Sequence, residues 1–63
     1  MMSYIDHIYE VIVRESDGLD ALYENYIVHL VGYSGLNDLK QYKLIETCGV
    51  VNGMQLYTIC DKN

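Results

Sequence analysis

Four side chains in this sequence have the chemistry to hold a metal or to attack a carbonyl: His7, His29, Cys48 and Cys60. By count they make the Cys2His2 set of a structural zinc site, and by type they supply a thiol nucleophile with an imidazole base. Their spacing supports neither use. Eleven residues separate the cysteines and twenty-one separate the histidines, so no short knuckle joins either pair. A cysteine in a hairpin strand also has no helix N-terminus to lower its pKa. The glycine-bounded stretches Gly32 to Gly35 and Gly49 to Gly53 lack the preceding strand, long helix and lysine of a phosphate loop. The expectation is a protein that is not an enzyme and needs no metal or cofactor.

Charge and aromatic residues are more informative. Nine acids oppose four lysines and arginines, a formal net charge of −5. Residues 1 to 24 carry Asp6, Glu10, Glu15, Asp17, Asp20 and Glu24 against Arg14 alone. From residue 25 onward Asp38, Glu46 and Asp61 balance Lys40, Lys43 and Lys62. All the excess charge therefore belongs to the first part of the chain. With Asp6 and Glu10 one turn apart on a first helix, and Asp17, Asp20 and Glu24 along the start of a second, an acidic ridge about 15–20 Å long results at the helical rise. Such a ridge is at the least a solvated face that keeps the protein soluble, and at most a surface that meets the basic groove of a nucleic-acid-binding protein. A non-specific grip on nucleic-acid phosphates is disfavoured by the same charge.

Every aromatic residue is a tyrosine. Tyr9, Tyr23 and Tyr26 fit helical core stripes. Tyr4, Tyr33, Tyr42 and Tyr57 fall at element ends or on the outer face of a ribbon, where a rigid apolar ring with a polar tip makes an interface anchor. The candidate partner-binding set is thus Asp6, Glu10, Asp17, Asp20, Glu24, Tyr33, Tyr42 and Tyr57.

These residues must be carried on a very small scaffold. Sixty-three residues make one domain, which buries only about 60% of the surface its unfolded chain exposes. A hydrophobic content of 51% excludes compositional disorder and leaves apolar surface for a partner or for a homodimer. Ser3, with Asp6 three residues on, caps a first helix over roughly residues 3 to 15, whose apolar face is Ile5, Ile8, Tyr9, Ile12 and Val13. Glu10 and Arg14 are spaced for an i,i+4 pair on its other face. Ser16, Asp17 and Gly18 make a turn, and Asp17 with Asp20 repeats the capping logic for a central helix. That helix is Leu19 to Val31, with apolar residues at 19, 22, 23, 26, 27, 30 and 31 and Gly32 as its C-cap. Val28 lies nearly opposite the centre of the apolar arc, so this helix should be covered on more than one side. The seven-residue spacing of Ile5, Ile12, Leu19, Tyr26 and Tyr33 also suits one long coiled-coil helix, but Glu15, Ser16 and Gly18 interrupt its seam.

Ser34 can cap a short third helix from Gly35 to about Tyr42, with Leu36 and Leu39 inward. Asn52-Gly53 between two β-rich runs is the strongest hairpin signal in the chain. A two-residue turn places Val51 opposite Met54, Gly49 opposite Leu56, Thr47 opposite Thr58 and Ile45 opposite Cys60, with Cys48 facing Tyr57 on the second side. That second face carries Leu44, Val50, Tyr57 and Ile59 beside Glu46, Gln55 and Asp61. The cysteines fall on opposite faces, so two unbridged thiols are expected. The fold class is α+β: two antiparallel helices, a short third helix and a C-terminal β-hairpin. A strand at Tyr9 to Val13 would give the alternative order β-α-α-β-β.

Helix, helix, short helix and hairpin resembles the element order of the winged helix-turn-helix family, which implies a third helix in the major groove and a hairpin wing. The segment Ser34 to Leu44 offers only Lys40 and Lys43 for that task, so DNA-binding regulation is the alternative to an interaction role, and a homodimeric scaffold is the second alternative. In size and charge the chain is similar to the small anti-defence inhibitors encoded by phages, anti-CRISPR proteins and DNA mimics among them. The resemblance implies a protein that binds and inhibits or modulates a nucleic-acid-handling protein. No basic stretch followed by an apolar run opens the sequence, and the longest nearly apolar run, Tyr26 to Tyr33, falls far short of the ~20 residues that span a bilayer. The expected setting is cytoplasmic, with no membrane contact.

Overall fold

In the computed structural model, which describes residues 3–60, helix α1 (Tyr4–Glu15) starts at the expected cap. The Asp6 amide donates to Oγ of Ser3 at 3.2 Å, and Asp6 sits in the first turn, where the helix dipole favours an acid. Ile8 and Ile12, one turn apart, point into the core, which sets aside the alternative of a strand at residues 9 to 13. The helix ends with the Ser16 amide on the Ile12 carbonyl at 2.9 Å, and Gly18 at φ +81° turns the chain away.

The chain does not then enter a helix at Leu19. Leu22–Tyr23 form a two-residue strand, β1, and helix α2 spans Glu24–Gln41. The central helix is therefore five residues shorter at its start than the apolar spacing predicts, and Leu19 is 57% exposed. Its N-cap is Tyr23, which makes no side-chain cap bond, so the Asp17–Asp20 capping is not used. Pairing outweighs helical periodicity here: β1 supplies the third strand of an antiparallel sheet and buries Leu22 while Tyr23 faces out.

Gly32 stands where the C-cap is predicted, at φ +80°, but helix resumes at once, so the short third helix is the second half of a broken α2. Gly35 is buried against Val31, and a Cβ built on it would lie 2.8 Å from both Cβ and Cγ2 of Val31. The end of α2 is a Schellman motif. Lys43 takes φ +59°, its amide bonds to the Lys40 carbonyl at 3.0 Å, and the Leu44 amide reaches back to the Leu39 carbonyl at 2.9 Å.

Strands β2 (Ile45–Val51) and β3 (Met54–Ile59) form the predicted hairpin, with Asn52 at φ +52° and Gly53 at φ +79° as a type I′ turn requires. The sheet order is β1-β3-β2. Register follows expectation at Val51–Met54 and Gly49–Leu56, then shifts by one at Cys48, so that Thr47 pairs with Tyr57 and Ile45 with Ile59. The shift is a β-bulge, and burial explains it. An unbroken register would set Thr58 and Cys60 beside Ile45, whereas the bulge puts Tyr57 and Ile59 there, in line with Leu22 of β1.

The core consists of Ile8, Ile12, Leu22, Ile27, Leu36, Leu39, Leu44, Ile45 and Tyr57, with half-buried Val28, Leu30 and Val31 of α2 packed against it. Tyr57 is only 3% exposed, which corrects its placement on an outer ribbon face. Cys48 is an exposed thiol on the bulge and Cys60 a half-buried one beyond β3. Asp61, assigned by sequence to the ribbon's second face, and Lys62 lie outside the described residues.

Candidate protein-interaction surface

The acidic residues do not form one helical ridge. Asp6 and Glu10 are exposed one turn apart on α1, and Glu10 is bound to Arg14 at 2.6 Å, the i,i+4 pair read from the sequence. Asp17 and Asp20 are exposed in the irregular connection between α1 and β1, so their charges are presented from a loop instead of a helix face. Glu24 has a structural use: Oε1 accepts a 3.0 Å bond from the hydroxyl of Tyr57. Of the predicted acids, Asp6, Asp17 and Asp20 are exposed, and their carboxylates make no hydrogen bond or ion pair among the described residues.

Glu15, outside the predicted set, accepts a hydrogen bond from the hydroxyl of Tyr26 and ties the end of α1 to the first turns of α2. That bond raises the Tyr26 pKa above its ordinary value, because ionisation would lose the donated proton and set a phenolate against a carboxylate.

Tyr33 and Tyr42 are 68% and 64% exposed and flank the second half of α2, as an anchoring role requires. Tyr57 is not available for such a role. Its ring lies in the core with Nζ of Lys40 5.6 Å from the ring centroid. Sequence reasoning also placed Tyr23 and Tyr26 in a core stripe, yet both are exposed. The missed signal is the alternation of buried Leu22 and exposed Tyr23, which a helix pattern hides.

Tyr23 and Tyr26 line an open groove of about 540 Å³ between the start of α2 and the hairpin tip. Asn25 and His29 continue the helix side, and Val51, Asn52 and Met54 form the opposite wall. A second groove, of about 320 Å³, holds Lys40 and Lys43 beside Glu46, Thr47 and Tyr57. Neither lysine lines the groove that carries Tyr23 and Tyr26. Among the described residues no three of the His, Cys, Asp and Glu side chains come together to hold a metal ion, and no helix is long and apolar enough to cross a membrane.

Comparison of the chain with protein-family models, curated proteins and solved structures returned no match.

Proposed function

We propose that this protein is a non-enzymatic acidic interaction module of the cytoplasm that binds and modulates a protein with a basic, nucleic-acid-handling surface. The observation that carries the reading is the separation of charge. Exposed Asp6, Asp17 and Asp20 project from α1 and the connection after it, while Lys40 and Lys43 share a different groove. A surface of this kind steers a basic partner by attraction that salt screens over about 10 Å at 0.1 M. Exposed Tyr33 and Tyr42 add contact area at little cost in side-chain entropy.

The test is capture of a partner from an extract of the source cells, followed by binding kinetics with that partner purified. Association slows steeply as salt rises from about 50 to 500 mM, nucleic acid competes for the partner, and the triple variant Asp6→Asn, Asp17→Asn, Asp20→Asn binds weakly. Salt-insensitive binding, or equal binding by the neutralised variant, overturns the reading. Glu24 is left intact in this experiment because its carboxylate belongs to the fold.

A winged-helix DNA-binding role is a second reading, favoured by the break at Gly32, which divides α2 into two helical segments ahead of a hairpin. It predicts retardation of duplex DNA at about 50 mM salt, weakened by Lys40→Ala and Lys43→Ala. Absence of retardation under those conditions removes it.

A further inference from the structure

We infer that the protein has a binding site for a small uncharged apolar molecule, about the size of one six-membered ring. The site is a cavity of about 150 Å³ between the end of α1, the α1–β1 connection and the sheet. It does not depend on the acidic-module reading.

The walls select the occupant. Ile12 and Ile27 are fully buried, and Leu22, Ile45 and Tyr57 are at most 5% exposed, so the deep part of the cavity is aliphatic and aromatic. The hydroxyl protons of the lining are already donated, from Ser16 to the Val13 carbonyl at 3.0 Å, from Thr58 to the Asp20 carbonyl at 3.2 Å and from Tyr57 to Oε1 of Glu24 at 3.0 Å. No buried side-chain nitrogen or oxygen among the described residues lacks a partner, so the walls do not call for a polar ligand or a fixed water. A cavity of about this volume with such walls stays dry and admits benzene or xenon. The one carboxylate of the lining, on exposed Asp20, repels an anion at the rim.

The chain forms this space in advance and leaves it unfilled. Gly18 at φ +81° and the bond from the Leu19 amide to the Ser16 carbonyl at 2.8 Å turn the connection. Leu19, part of the lining, is 57% exposed instead of packed inside. The end of the connection is pinned by the Thr58 bond to Asp20 and by the pairing of Leu22 with Tyr57. A ligand therefore gains apolar burial without ordering a loop.

The experiment is methyl and amide chemical-shift mapping on the isotopically labelled full chain with benzene, and with benzoate as the same ring carrying a negative charge. Benzene is expected to shift Ile12, Leu22, Ile27 and Ile45 saturably and to raise the melting temperature, while benzoate does neither. Ala21→Leu, which puts a larger side chain at a half-buried position of the lining, weakens benzene binding roughly tenfold or more, with retained fold checked by circular dichroism. Xenon on the parent chain is a second measurement that needs no variant, and it is expected to shift the same four residues. Shifts by benzene that do not saturate, or that centre on exposed Tyr4, Tyr33 and Tyr42, overturn the site. Undiminished benzene binding by a folded Ala21→Leu, or no shift of the four residues with xenon, does the same. Equal binding of benzoate overturns the chemical class of the ligand.

Discussion

The hydroxyl of Tyr57 on β3 donates a 3.0 Å hydrogen bond to Oε1 of Glu24, the first residue of α2, while Nζ of Lys40 near the end of the same helix sits 5.6 Å from the Tyr57 ring centroid. One side chain of the sheet is thus held by both ends of a helix that is broken between them. Removing the hydroxyl in Tyr57→Phe should cost about 1–2 kcal/mol, since a half-buried carboxylate loses its donor. Glu24→Gln should cost less, because the amide oxygen still accepts. Urea midpoints of the two single variants and the double variant measure this, with coupling expected between the sites. Additive effects would mean that the bond contributes nothing to stability.

Gly35 offers a sharper test of the packing around the helix break. A methyl added there meets Cβ and Cγ2 of Val31 at 2.8 Å, and a Cβ atom cannot rotate away as a flexible chain end would. Although alanine is the better helix former, Gly35→Ala should destabilise by roughly 1–3 kcal/mol. Combining it with Val31→Ala should restore part of the loss, since the atom in the way is removed. Thermal unfolding of the two single variants and the double variant decides between a clash and a simple propensity effect, which would make Gly35→Ala stabilising.

Where the deciding interactions are local, the sequence was sufficient. Ser3 caps α1, Asn52-Gly53 turns the hairpin and Gly32 takes a positive φ, each for reasons carried by residues within a few positions. Leu22 and Tyr23 are different, because they satisfy a helical stripe and a strand alternation equally well. The free edge of β3, more than thirty residues away, makes the choice. Cys48 shows the same limit: the turn fixes register up to Gly49, but the bulge beyond it answers to which of Tyr57 and Thr58 the core can take. Both misreadings fall on the candidate site. The observed strand and bulge put Tyr57 in the core and Tyr23 on the surface, and they leave Asp17 and Asp20 off the helix that the acidic ridge requires.

Lys43 occupies the left-handed position of the Schellman motif at φ +59°, a conformation that costs a residue with a Cβ about 1–2 kcal/mol. Lys43→Gly removes that strain and adds back some unfolded-chain entropy, so a net gain of about 0.5–1 kcal/mol is expected. Lys43→Ala should show no such gain, because it keeps the Cβ. Chemical denaturation of both variants makes the comparison. A loss of stability in Lys43→Gly would indicate that the lysine side chain, which lines the smaller groove, matters more to the fold than its backbone angle.

The bond between Tyr26 and Glu15 gives stability a specific dependence on alkaline pH. Because the hydrogen bond to Glu15, then loss of hydration and then charge repulsion all raise the Tyr26 pKa, the folded state favours the neutral phenol. Its contribution is fully present below the ordinary tyrosine value of about 10 and is lost as pH rises through the higher folded value. Unfolding midpoints measured from pH 8 to pH 11 should therefore fall at the alkaline end, and the fall should be shallower in Tyr26→Phe and in Glu15→Gln. Difference absorbance of phenolate between the parent and Tyr26→Phe isolates this one hydroxyl among the seven tyrosines. If the Tyr26 hydroxyl ionises at the ordinary tyrosine value of about 10, Glu15 does not hold it.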